Sequence, residues 1–152
     1  MRKLIVCVII LAACRARDDG FSGVQSRGQE AMGVDQYTST HIFESLPDGG
    51  RIELQRDGAD SAGTAQIRRH MRQISENFAA GDFRLPGFVH AREVPGTQVM
   101  ARRRADISYT VEDLRRGAAL RLRTPSPEVS RAIHEFLAFQ RQDHYAAGHR
   151  GP

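Results

Sequence analysis

The chain has 152 residues, 22 Lys or Arg against 18 Asp or Glu, and a formal net charge of +4. That length accommodates one domain and not two comfortable ones. Lys3 is the only lysine; every other strong side-chain base is arginine, which hardly titrates, so Schiff-base and general-base lysine chemistry are excluded beyond Lys3.

The first fourteen residues fall into three zones. Arg2 and Lys3 form a positive start, Leu4 to Leu11 an apolar run, and Ala12-Ala13 a small-residue step before Cys14. The run is far shorter than the roughly 20 apolar residues of a membrane-spanning helix, and it reads as a secretory signal peptide over residues 1–13. Leu11-Ala12-Ala13-Cys14 resembles the bacterial lipobox. The resemblance implies that Cys14 is acylated and becomes the new N-terminus, with membrane lipid as its partner. Arg15 in the next position is similar to the pattern sorted to the outer membrane, facing the periplasm, in hosts that have one.

Processing removes Cys7 and acylation consumes Cys14. Disulfides, thiolate-held zinc, iron–sulfur clusters and a cysteine nucleophile are then excluded together. Loss of Arg2 and Lys3 leaves twenty basic against eighteen acidic residues, and export places the domain away from nucleic acid. Arg102-Arg103-Arg104, the only tight basic run, reads as the solvated face of a short helix.

Residues 14–34 read as the lipidated cysteine and a flexible tether, polar, rich in Gly, Ser and Gln, and without apolar periodicity. As a random coil of some twenty residues it would reach about 25 Å. A single domain is expected over 35–146. Thr38 to Glu44 is β-prone, Pro47-Asp48-Gly49-Gly50 is a turn, and Arg51 to Arg56 alternates with Ile52 and Leu54 on one side, which makes a β-hairpin. Ile67, Met71, Ile74 and Phe78 recur at helical spacing and stop before Gly81.

Asp82 to Gly96 reads as an irregular stretch, with Thr97 capping a short helix through Arg104. Ile107 to Val111 and Leu120 to Arg123 are strands about a turn at Arg115-Arg116-Gly117. Ser126 caps a last helix that carries Pro127 at its first position and the inward stripe Val129, Ala132, Ile133, Phe136, Leu137 and Gln140. Residues 147–152 form a polar tail.

Both halves read as hairpin then helix. The expected fold is α+β: a duplicated ββα unit forming one four-stranded antiparallel sheet with two main helices on one face. Phe78-Ala79-Ala80-Gly81 and Tyr145-Ala146-Ala147-Gly148, like Gly50 and Gly117, suggest a repeat offset of 67. The expected core is Phe43, Ile52, Leu54, Ile67, Ile74, Phe78, Ile107, Leu120, Leu122, Ile133, Phe136 and Leu137.

No Gly-x-Ser-x-Gly elbow, P-loop or dinucleotide fingerprint is present, and the chain is expected not to be an enzyme. Asp82 and Glu93 flank His90, and isolated loop carboxylates of this kind usually hold turns. Six histidines are present: His41, His70, His90, His134, His144 and His149. None has a metal-motif spacing, yet His70 and His144 border the inward stripes of the two helices. If the helices pack together, His70, His90 and His144 converge, with Met100 or His134 as further donors. Histidine with methionine and no cysteine suits copper outside the cytoplasm, and zinc less specifically. Two functions follow: a non-enzymatic envelope module that binds another envelope protein or the membrane surface, or a periplasmic copper- or zinc-binding protein using those side chains.

From Met32-Gly33-Val34-Asp35 to His149 the chain also resembles a family of small uncharacterised exported bacterial proteins. The resemblance lies in Thr40-His41-Ile42-Phe43, Asp48-Gly49-Gly50, the His70 helix into Gly81-Asp82-Phe83, the His90 to Pro95-Gly96 stretch, and Ala132-Ile133-His134 through Gln140 to Asp143-His144. Some members carry the label aspartate carbamoyltransferase. That activity is rejected: such a transferase is a two-domain α/β protein of about twice this size, and its Ser-Thr-Arg-Thr phosphate loop has no counterpart here. The resemblance implies export and one compact domain.

Overall fold

A computed structural model describes residues 20–33 and 35–144. The signal segment, Cys14 and the 147–152 tail lie outside the described residues. Nine regular elements follow in order: α1 (Gly20–Met32), β1 (Ser39–Leu46), β2 (Gly49–Arg56), α2 (Ser61–Ala79), α3 (Arg84–His90), α4 (Thr97–Arg102), β3 (Ser108–Leu114), β4 (Gly117–Arg123) and α5 (Pro127–Asp143). Short 3-10 turns precede β1 and β3. No helix among the described residues is long and apolar enough to cross a membrane.

The strands form one antiparallel sheet in the order β1-β2-β4-β3. The fold is therefore α+β, with the four-stranded antiparallel sheet the periodicity predicts. The register shows why one face is covered. Phe43, Ile52, Leu120 and Val111 lie in one row across the four strands, and His41, Leu54, Ala118 and Asp113 in the next. Side chains alternate with period two, so these rows share a face. Against it lie α2, over β2, β3 and β4, and α5, over β1 and β2. All twelve expected core side chains are buried in one cluster.

Local chemistry sets the helix limits. The Asp60 carboxylate accepts the Gly63 N–H at 2.9 Å and starts α2. The Ser126 hydroxyl oxygen accepts from Val129 N–H, with Pro127 following, and starts α5. Gly50 faces α5, where a Cβ would lie 2.2 Å from Leu137 Cδ1; glycine lets helix and sheet approach this closely.

Three expectations need correction. Residues 20–32, expected within a flexible tether, form α1. Val24, Gly28, Ala31 and Met32 fall at i, i+4, i+7 and i+8, and Val24 and Met32 are buried. Half of the stripe is small residues, so it escapes a search for large apolar ones, yet it seats the helix closely on α3. Arg27 Nε donates to the Val89 carbonyl at 2.7 Å and ties the two together.

The stretch Asp82–Gly96, expected as irregular, contains α3. This helix closes through Ala91, a non-glycine residue at φ +50°, with Ala91 N–H bonded to Phe88 O and Arg92 N–H to Gly87 O. Glycine 96, at φ +81°, precedes α4, which ends at Arg102; the Thr97 hydroxyl donates back to Val94 O instead of capping the helix.

The repeat is real as topology, ββα followed by ββα with α3 and α4 between. Its offset is not 67. The equivalent hairpin residues are Gly49 and Gly117, each paired with the leucine that ends the preceding strand, which is 68 apart. The buried helix positions Gly63, Ile67, Met71 and Ile74 correspond to Val129, Ile133, Leu137 and Gln140, which is 66 apart.

Candidate functional site

Helices α1, α2 and α3, the end of α5 and strands β1 and β2 line a partly open cavity of ≈ 80 Å³. Gly28, Ala31 and Met32 of α1 form one wall. Phe43, Ile52 and Leu54 of the sheet form another. Among the described residues the polar side chains that line it are His41, His70, His90, His144 and Gln140. Among the described residues no hydroxyl, thiol, carboxylate or amine side chain takes part in the lining.

Each histidine arrives by a different route. His41 lies on the core face of β1, two residues from Phe43 and opposite Leu54, and stacks on Phe43 at 5.8 Å between ring centres. His144 caps the C-terminal end of α5. Its ring lies 5.3 Å from that of His41, 5.6 Å from Phe43 and 4.9 Å edge-on from His90. His70 enters from α2, next to Met71. His90 is the last residue of α3, and its side chain is almost wholly buried.

Burial is the main electrostatic fact, because it disfavours the imidazolium. It pushes His41 down to about 4, with His70 adding to the effect. It pushes His70 down to about 4. Burial first, then His41 and His90, bring His144 down to about 2. These three rings are neutral at neutral pH. His144 Nδ1 is buried and has no hydrogen-bond partner.

His90 is different. Its Nδ1 donates to Asp143 Oδ2 at 2.5 Å, and its Nε2 lies 2.9 Å from the Gln140 side-chain oxygen. Arg92 Nη2 donates to the other oxygen of Asp143 at 2.5 Å, while its guanidinium lies 4.7 Å from the centre of the Phe139 ring. Ala91 makes this chain possible: its left-handed backbone, costly for a residue with a Cβ, stops α3 and turns Arg92 back toward Asp143. An Arg–Asp–His chain orients an imidazole as a catalytic base is oriented. Here both ring nitrogens are engaged.

Of the residues expected to converge, His70, His90 and His144 do line one cavity. His134 and Met100 do not. His134 Nε2 donates to Leu46 O at 2.8 Å and Gly49 O at 3.0 Å, fastening α5 to the first hairpin. Met100 is fully buried in the main core beneath α4. His149 lies outside the described residues. The carboxylates flanking His90 in sequence serve elsewhere: Asp82 binds Arg84, and Glu93 accepts from Gln98.

Sequence reasoning overlooked His41 and Asp143. His41 had a signal, since period-two alternation from Phe43 puts it on the covered face. Asp143 had none beyond helical spacing. Among the described residues no three His, Cys, Asp or Glu side chains are arranged to hold a metal ion.

The fold and the cavity define a small α+β domain with a histidine-lined pocket. Compared with protein-family models, curated proteins and solved structures, the chain has no significant match.

Proposed function

We propose that this chain is an exported lipoprotein, acylated at Cys14 and anchored to the cell envelope, whose domain is a non-enzymatic binding module with its ligand site in the histidine-lined cavity. One observation carries the assignment of the site: four histidines from β1, α2, α3 and the end of α5 line one cavity, with no other titratable side chain among the described residues there. A hydrophobic interior rarely collects imidazoles, because each brings polar nitrogens that need partners.

The cavity also bounds the ligand. Organic ligands generally need about 300–1,000 Å³. A space of ≈ 80 Å³ suits an ion or a very small molecule.

Native mass spectrometry of the detergent-solubilised lipoprotein tests the reading. The native mass is expected to exceed the denatured mass by a bound species, and the excess to vanish in Ala31→Phe, which fills the cavity from α1. Equal native and denatured masses for the wild type would overturn it.

A further inference from the structure

We propose that the cavity is a copper(I) site in which His41 and His144 supply two imidazole nitrogens and a thioether from Met32 or Met71 completes the set. The proposal rests on reading this cavity as the ligand site, and it names the ligand.

Ring spacing is the first argument. An imidazole bound at about 2.0 Å puts its ring centre about 3 Å from the metal, so two rings on one ion stand about 5–6 Å apart at ordinary bond angles. His41 and His144 are 5.3 Å apart. His144 Nδ1 supplies the second argument, being a buried ring nitrogen with no partner. An unsatisfied buried polar atom costs about 1–3 kcal/mol, and a metal bond would remove that cost.

The choice of metal follows from the donors. Structural zinc takes four ligands in a tetrahedron, and the described residues offer no group of three His, Cys, Asp or Glu arranged for an ion. Copper(I) accepts two or three soft donors, and thioethers select for it. Met32 and Met71 both line the cavity. Two imidazoles and one thioether match that preference without any thiolate.

His90 serves as a positioning residue. Its nitrogens are engaged by Asp143 and Gln140, and its ring meets His144 edge-on at 4.9 Å. It thereby fixes the plane of the His144 ring. The cavity, with space for about two or three waters at roughly 30 Å³ each, is large enough for an ion.

The test uses the full chain carrying Cys7→Ser and Cys14→Ser, so that no thiolate competes. Anaerobic titration with Cu(I) against a chromogenic Cu(I) chelator should show one ion per chain. X-ray absorption of the loaded protein should show two nitrogen neighbours and one sulfur, a readout that needs no further variant. His144→Ala and His41→Ala should each weaken binding at least tenfold, whereas His134→Ala should leave it unchanged. No stoichiometric Cu(I), a first shell without sulfur, or full affinity in His41→Ala would overturn the copper assignment. A different bound species, present by native mass spectrometry and lost in Ala31→Phe, would also overturn it while leaving the binding-module reading intact.

Discussion

Burial of His41, His70 and His144 gives the metal-free protein an acid-sensitive core at the level of single residues. The sign follows from proton counting. Above the ordinary histidine value of 6.5 both folded and unfolded chains are neutral at these positions, and the full stability is present. As pH falls below 6.5 the unfolded chain takes up protons, but folded His41 and His70 resist until about 4. Stability therefore falls between pH 6.5 and 4, by about 2 kcal/mol per histidine at pH 5. His144, held down to about 2, extends the loss to lower pH. Urea midpoints of the metal-free chain should drop clearly from pH 7 to pH 5, and His41→Gln should flatten that dependence. A midpoint indifferent to pH over this range would mean that the rings are not shielded from water.

The elements are held together by close approach as much as by large side chains. Gly50 in β2 sits directly beneath α5, where a Cβ would meet Leu137 Cδ1 at 2.2 Å and the Glu44 carbonyl oxygen at 3.0 Å. Gly50→Ala must displace the buried Leu137 side chain and crowd the Glu44 carbonyl, an overpacking cost of about 1–3 kcal/mol. Thermal melting should report it as a lowered Tm. An unchanged Tm would show that α5 rides higher on the sheet than described. His134 binds the same hairpin through two carbonyls, so α5 is fixed there by a hydrogen-bonded histidine and by a missing side chain. Helix α1 follows the same rule, with Gly28 and Ala31 letting it close one side of the cavity.

For the whole molecule, α1 changes the expected geometry of the anchor. Helix α1 is described from Gly20, five residues lie between it and Cys14 in sequence, and five residues span at most about 18 Å. A domain anchored through Cys14 would be held against the membrane surface, closer than the roughly 25 Å expected of a twenty-residue tether. Metabolic labelling with an alkynyl fatty acid should tag the wild type and not Cys14→Ser. Equal labelling of both would place the lipid elsewhere, and no label on the wild type would remove the anchor.

What the sequence determined by itself is the set of features with a local physical cause. Hydrophobic periodicity belongs to the strand or helix that carries it, and so the four strands, the two long helices and the buried side chains from Phe43 to Leu137 were legible one segment at a time. The Asp48-Gly49 turn and the Ser126-Pro127 start were legible for the same reason. Only the tertiary structure decided what depends on how elements pack. α1 has a stripe of small residues whose value appears once α3 lies against it. Ala91 ends α3 in a conformation that a residue with a Cβ adopts only under tertiary constraint, and Asp143 reaches His90 across 53 positions of sequence. The meeting of His41 with His144 required the sheet register and the axial position of α5 to be set together. No periodicity within one segment encodes that, because the contact energy that fixes it is shared between elements far apart in the chain.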